Sequence, residues 1–136
     1  MRRLLQPTRP DALALALLTL AALGVLVAGL QHARLFHRGY AEVAVVGPLF
    51  LLNAVGSTVV VVAFVAQRLW VFVLGALSIC GPSLVSIAIS HSAAGFLGFR
   101  EGGYDADALV IVVAELVAVV FASTGAVATL RSSSAS

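Results

Sequence analysis

Five side chains in this sequence are able to hold a ligand or carry a proton: His32, Glu42, His91, Glu101 and Glu115. Imidazole ligates transition metals and, in pairs, haem iron, while a carboxylate coordinates cations or passes a proton on. Glu115 is the most telling of the five, because it interrupts the run "ALVIVVAELVAVV", in which every other residue is apolar. His32, His91 and Glu115 form the candidate metal set, with a metal ion or a haem as the implied cofactor. Glu101 and Glu42 extend it to a ligand-binding or proton-carrying cluster. No CxxC or HExxH spacing marks a dedicated metal motif. Hydrolysis is disfavoured, since the chain has neither a usefully spaced Ser, His and Asp arrangement nor a G-x-x-x-x-G-K phosphate cradle, and no catalytic residue is assigned.

The elements that must position these groups are set by composition. Hydrophobic residues make up 61% of the chain and charged residues 10%, with a mean hydropathy of +1.10. Soluble domains run about 45–50% apolar and about 25% charged, so this is a membrane protein. A hydrocarbon core of about 30 Å needs roughly 20 apolar residues per crossing. The chain offers four such runs, near residues 11–30, 43–66, 69–90 and 108–130. They read as helices, which satisfy their own backbone hydrogen bonds in lipid; the alternation of an outer-membrane barrel strand is absent. The expected fold is all-α, an antiparallel four-helix transmembrane bundle in one domain, residues 1–131, with a short disordered tail at 132–136.

All eight basic residues are arginine. Arg2, Arg3, Arg9, Arg68 and Arg131 fall on one side of the expected membrane, and Arg34, Arg38 and Arg100 on the other. The arginine excess places both termini inside, in a multi-pass protein of the cytoplasmic membrane. The basic leader "MRRLLQP" is read as part of a retained anchor, because the apolar segment after it exceeds a signal h-region. The arginines do not cluster as a nucleic-acid footprint requires. The partners expected are the lipid bilayer and a second copy or a larger membrane complex. The single Cys80 lies inside the third run and forms no internal disulfide.

Helical spacing then gives the facing. Glu115 lies on the order of 10 Å below the outer boundary at 1.5 Å per residue. An acid at that depth costs about 2.5–3.5 kcal/mol, so it must look into the bundle, stay protonated, or meet a partner such as Asn53 or a serine of helix three. Ala114, Ala118, Ala122 and Ala126 form a small-residue stripe on the same side, open to a neighbouring helix or a second copy. His32 closes helix one above Ala21, Val25, Ala28 and Gly29; His91 closes helix three above Cys80, Leu84 and Ile87. The segment "SHSAAGFLGFREGGYDAD" holds three of the six acidic residues and is expected to fold over the outer mouth. Within it Asp105 reads as the cap of helix four and Asp107 as a first-turn acid, while Glu101 is left to pair with Arg34, Arg38 or Arg100 or to approach the histidines. Pro48 and Pro82 should each kink a helix or free a carbonyl. Asn53, Gly56 and Ser57 on helix two, with Ser83, Ser86 and Ser90 on helix three, either glue helices together or line a polar cavity.

A histidine closing helix one, the "GPLFLLN" and "GFLGFRE" segments and a mid-helix glutamate in helix four resemble a group of small uncharacterised four-helix integral membrane proteins of high-GC bacteria, over about residues 20–125. The resemblance implies four helices and the relevance of His32, Glu101 and Glu115; it brings no activity with it. Three functions follow from the residues. The first is a small binding or accessory subunit holding a metal, haem or quinone at the outer face. The second is an oligomeric proton-coupled transporter using Glu115, and the third is a structural or assembly subunit of a larger complex.

Overall fold

The structure is a computed structural model that describes residues 10–134. Four helices account for most of it: α1 Ala12–His37, α2 Val46–Val65, α3 Leu69–Ser90 and α4 Ala106–Ser134. Each is long and apolar enough to cross a membrane. Among the described residues there is no strand, only an isolated bridge between Phe96 and Phe99. Arg2, Arg3 and Arg9, on which part of the orientation argument rests, lie outside the described residues, as does the end of the expected tail.

Helix ends fall where local chemistry puts them. Asp11 caps α1, its Oδ1 accepting from the Ala14 amide at 2.7 Å. The helix then runs on past residue 30, because nothing in "QHARLFH" breaks it, and stops before Gly39, whose φ of 128° an L side chain avoids. His32 is therefore a turn and more inside α1 rather than at its end. A single 3-10 turn, Tyr40–Glu42, delays the start of α2. Pro48 consequently sits in the first turn of α2, where a missing N–H costs nothing, and does not occupy the mid-helix position that would kink it. Pro82 does lie inside α3. At its far end α4 continues to Ser134, so the described part of the expected tail is helical; Ser132 and Ser134 hydroxyls donate back to the Thr129 and Leu130 carbonyls.

The helices pack in a ring. α1 lies most closely on α4 and next on α2, α3 touches α4 and α2, and α1 barely meets α3. The core between them is built from Leu18, Ala21, Val25, Val60, Phe72, Ala76, Cys80, Ala118 and Ala122. Large apolar side chains such as Leu13, Leu52, Val65, Leu74 and Val113 point outward, as a bundle solvated by lipid requires.

Glycine sets the tightest seam. A Cβ at Gly24 of α1 would stand 2.6 Å from the Ala114 carbonyl oxygen and 2.8 Å from the Ala118 nitrogen of α4. At Ala114 and Ala118 the alanine stripe is thus covered by α1 of the same chain. Gly29 meets Ser57 of α2 with similar closeness, 2.5 Å to its Cβ. Such approaches are how membrane helices gain packing where lipid removes the hydrophobic drive between them.

A branched side chain at Gly24 must push backbone against backbone. Gly24→Val is expected to cost about 1–3 kcal/mol of overpacking strain and lower the thermal midpoint in mild detergent. Gly81→Ala, with nothing within 4 Å of the added carbon, should leave that midpoint unmoved.

Candidate functional site

The polar residues of the chain collect where α1 and α3 finish and α2 and α4 begin, and there they surround a cavity of about 260 Å³. α1 contributes His32. α2 contributes Phe50 and Asn53, α3 contributes Ser83, Ser86 and Ser90, and His91 is the residue that caps α3. Tyr40 comes from the 3-10 turn, and Phe96, Phe99 and Glu101 from the 91–105 connection. Leu49 and Leu52 of α2 and Ser78 and Pro82 of α3 line the cavity too, and all four are exposed on the outside of the bundle. The cavity therefore opens sideways between α2 and α3. Pro82 also withholds from the Ser78 carbonyl its usual helical donor, leaving an acceptor at that opening.

The lid is a tight reversal. Phe96 and Phe99 exchange backbone hydrogen bonds of 2.7 and 2.8 Å across Leu97 and Gly98, both at positive φ, as a type I′ turn demands. The Glu101 amide donates to the Ser90 carbonyl at 2.9 Å, tying the returning strand to the end of α3. Its carboxylate accepts from the Tyr40 hydroxyl at 2.9 Å, not from an arginine or a histidine as the sequence suggested. Tyr40 stacks on Phe50 at 4.7 Å, and His32 meets Phe50 edge-on at 4.8 Å.

The arginines go to Asp107 instead. Arg34 lies 3.4 Å and Arg38 3.9 Å from its oxygens, half-exposed pairs worth about 0–1 kcal/mol each. The stronger tie is the Gln31 amide, buried on α1, which donates to Asp107 Oδ1 at 2.6 Å. Asp107 thus latches α1 to α4 as well as serving the helix dipole, and Asp105 caps α4 through the Ala108 amide at 2.8 Å.

The two histidines are held differently. His32, 1% exposed, turns Nδ1 to the Ala28 carbonyl at 2.9 Å, and among the described residues its Nε2 has no partner. His91 turns Nδ1 to the Ile87 carbonyl at 2.8 Å and Nε2 to the Gly103 carbonyl at 3.1 Å, with its ring stacked on Tyr104 at 3.8 Å. A neutral imidazole carries one N–H, so one of these two carbonyls accepts from His91 and the other only lies beside it. Glu115 is fully buried; Asn53 donates to its Oε1 at 3.4 Å while Ser57 donates to Asn53 Oδ1 at 3.2 Å. Oε2 has no hydrogen-bond partner among the described residues, although the Ser83 hydroxyl of α3 lies alongside.

Of the five sequence-derived candidates, His32, His91 and Glu101 share the cavity, and Glu115 lies next to it behind Asn53. Glu42 is exposed and outside the lining, because the 3-10 turn that points Tyr40 inward points Glu42 away. His32, His91 and Glu115 do not converge: among the described residues no three of His, Cys, Asp and Glu stand close enough to share a metal ion. Tyr40, Phe50, Phe96 and Phe99 were not foreseen as site residues. Their only sequence signal is that four of the chain's few aromatics flank polar residues at the same membrane level. Compared with protein-family models, curated proteins and solved structures, the chain finds no match.

Burial, and next the bond to Glu101, push the Tyr40 hydroxyl up from 10.0 to about 12. The unfolded chain gives up that proton near 10, so the Tyr40 contribution to stability is intact below that pH and lost as pH rises toward 12. Tyrosinate absorbance of the folded protein should contain one late component that Tyr40→Phe removes. A titration in which the variant keeps that component contradicts the Tyr40–Glu101 bond.

Proposed function

We propose that this chain is a small multi-pass binding protein, acting alone or as an accessory subunit, that receives a lipid-soluble organic molecule of about one ring and a short chain. The observation that carries this reading is the cavity of about 260 Å³, apolar for most of its wall and open sideways between α2 and α3. Binding sites combine apolar walls with a few placed polar groups, and this one adds His32, Tyr40 and Glu101 at its polar end. Compounds of the quinone class meet that description. The donor sets speak for an organic ligand over a metal ion or haem, because carbonyls flank both ring nitrogens of His91, His32 has one nitrogen left, and among the described residues no three of His, Cys, Asp and Glu converge.

The arrangement we favour is antiparallel with both termini in the cytoplasm, supported by the three-residue connection 66–68 and by the arginine bias. The cavity then faces the outer leaflet of the cytoplasmic membrane. A second reading, in which Glu115 carries a proton for transport, draws on its unpaired Oε2. The alanine stripe once available for the required oligomer is covered by α1 at Ala114 and Ala118.

Ser86→Leu fills the cavity from α3 without touching the α1–α4 seam. Wild type extracted in native-lipid nanodiscs should carry a small organic molecule detectable by mass spectrometry, and the variant several-fold less at an unchanged thermal midpoint. An equal ratio in both, or no molecule in either, refutes the reading. Metal found near one equivalent in the same wild-type sample, and lost in the His32→Ala, His91→Ala double variant, would return the site to a metal.

A further inference from the structure

Hydrogen-bond bookkeeping around the cavity points to the charge of its occupant. The hydroxyls of Ser86 and Ser90 spend their protons on the Pro82 and Ile87 carbonyls, each at 2.8 Å, so their oxygens are left as acceptors, that of Ser90 lying 3.3 Å from His91 Nδ1. The Tyr40 proton is spent on Glu101. His32 gives its Nδ1 proton to Ala28, which leaves Nε2 of the neutral ring a lone-pair acceptor; this side chain is 1% exposed, lines the cavity, and has no partner for that atom among the described residues. Glu101 commits one oxygen to Tyr40 and keeps the other without a donor among the described residues; Asp105, which caps α4, is exposed.

Among the described residues no arginine lines the cavity, Arg34 and Arg38 being paired with Asp107 at its edge, and the donors left there are the Ser78 hydroxyl and one N–H of Asn53, the Ser83 hydroxyl lying against Glu115. The walls beside the Glu101 carboxylate are the rings of Tyr40, Phe50 and Phe99, whose faces attract cations. A quinone carbonyl offers acceptors to a site already full of them. An ammonium supplies several donors and a positive charge beside Glu101, which has one hydroxyl donor and, among the described residues, no cation against it.

We propose that the occupant is a cationic amphiphile, an organic amine whose ammonium group sits between Glu101 and His32 under the lid and whose apolar part lies toward the opening between α2 and α3. This rests on the binding reading above and names its substrate class. Lipid-soluble amines partition into the membrane interface, and the sideways opening admits them without crossing the lid.

The test uses three probes of one shape, 4-phenylbutylamine, 4-phenylbutanol and 4-phenylbutyrate, in equilibrium dialysis against the protein in zwitterionic nanodiscs, with protein-free discs subtracted. The amine should bind saturably and at least about tenfold tighter than the alcohol, a difference of about 1.4 kcal/mol, with the carboxylate weakest. Glu101→Gln should remove most of the amine's advantage over the alcohol, and an unchanged thermal midpoint shows that the variant is folded. Equal binding of amine and alcohol, tighter binding of the carboxylate, or an amine unaffected by Glu101→Gln overturns the charge assignment and leaves the cavity reading standing. If none of the three saturates, both fall together.

Discussion

The approach of α1 to α4 is the constraint on which the rest of the structure depends. With Gly24 facing the Ala114 carbonyl and Ala118 at contact distance, no side chain separates the two backbones over the middle of the membrane. That contact buries Ala118 and Ala122 and takes Glu115, on the same stripe, out of lipid into the bundle. It also brings the upper end of α1 over the first turn of α4, where Gln31 and Asp107 meet at 2.6 Å. One small-residue seam therefore determines both where the buried acid points and where the polar end closes.

The opposite side is built on another principle. α2 and α4 do not pack against each other, and what joins them is the side-chain chain Ser57, Asn53, Glu115. A hydrogen bond in lipid has little competition from water, yet measured values average about 0.6 kcal/mol, so such a bridge orients helices more than it clamps them. The lid fastens this looser side from above. Its turn puts Phe96 and Phe99 over the cavity, and Glu101 holds it to Tyr40 on one flank and to the Ser90 carbonyl on the other.

How far this was legible in the sequence follows from the range of each interaction. Four helices could be read because apolar runs of this length have one solution in lipid. The facing of Glu115 could be read because Ala118 and Ala122 lie three and seven residues on, and Asn53 was a candidate partner because few polar groups share its depth. Helix ends were less legible: α1 runs to His37 since the first residue forcing a stop is Gly39, and Pro48 lost its kink when a 3-10 turn moved the start of α2. Least legible were the contacts of Glu101 and Asp107. Glu101 joins Tyr40 across 61 residues, and Asp107 joins Gln31 across 76. Sequence spacing carries no information at that range, and charge alone suggested arginine for Glu101, whereas geometry gave the arginines to Asp107.

Tightness on one side and room on the other have a common origin in residue size. Glycine and alanine line the α1–α4 seam, where backbones touch. Between α2 and α3, at the polar end, Leu49 and Leu52 instead face a proline and three serines, Ser78, Ser83 and Ser86. Serines too short to cross the gap leave it unfilled, and Pro82 prevents α3 from closing it with an unbroken ladder. A protein needing only to be a stable bundle would gain by replacing these with larger apolar residues, since each void left in a packed interior forfeits dispersion contacts. The cavity persists beside polar atoms with unsatisfied capacity, His32 Nε2 and the free oxygen of Glu101, and an occupant that satisfies them returns what the open packing gives up.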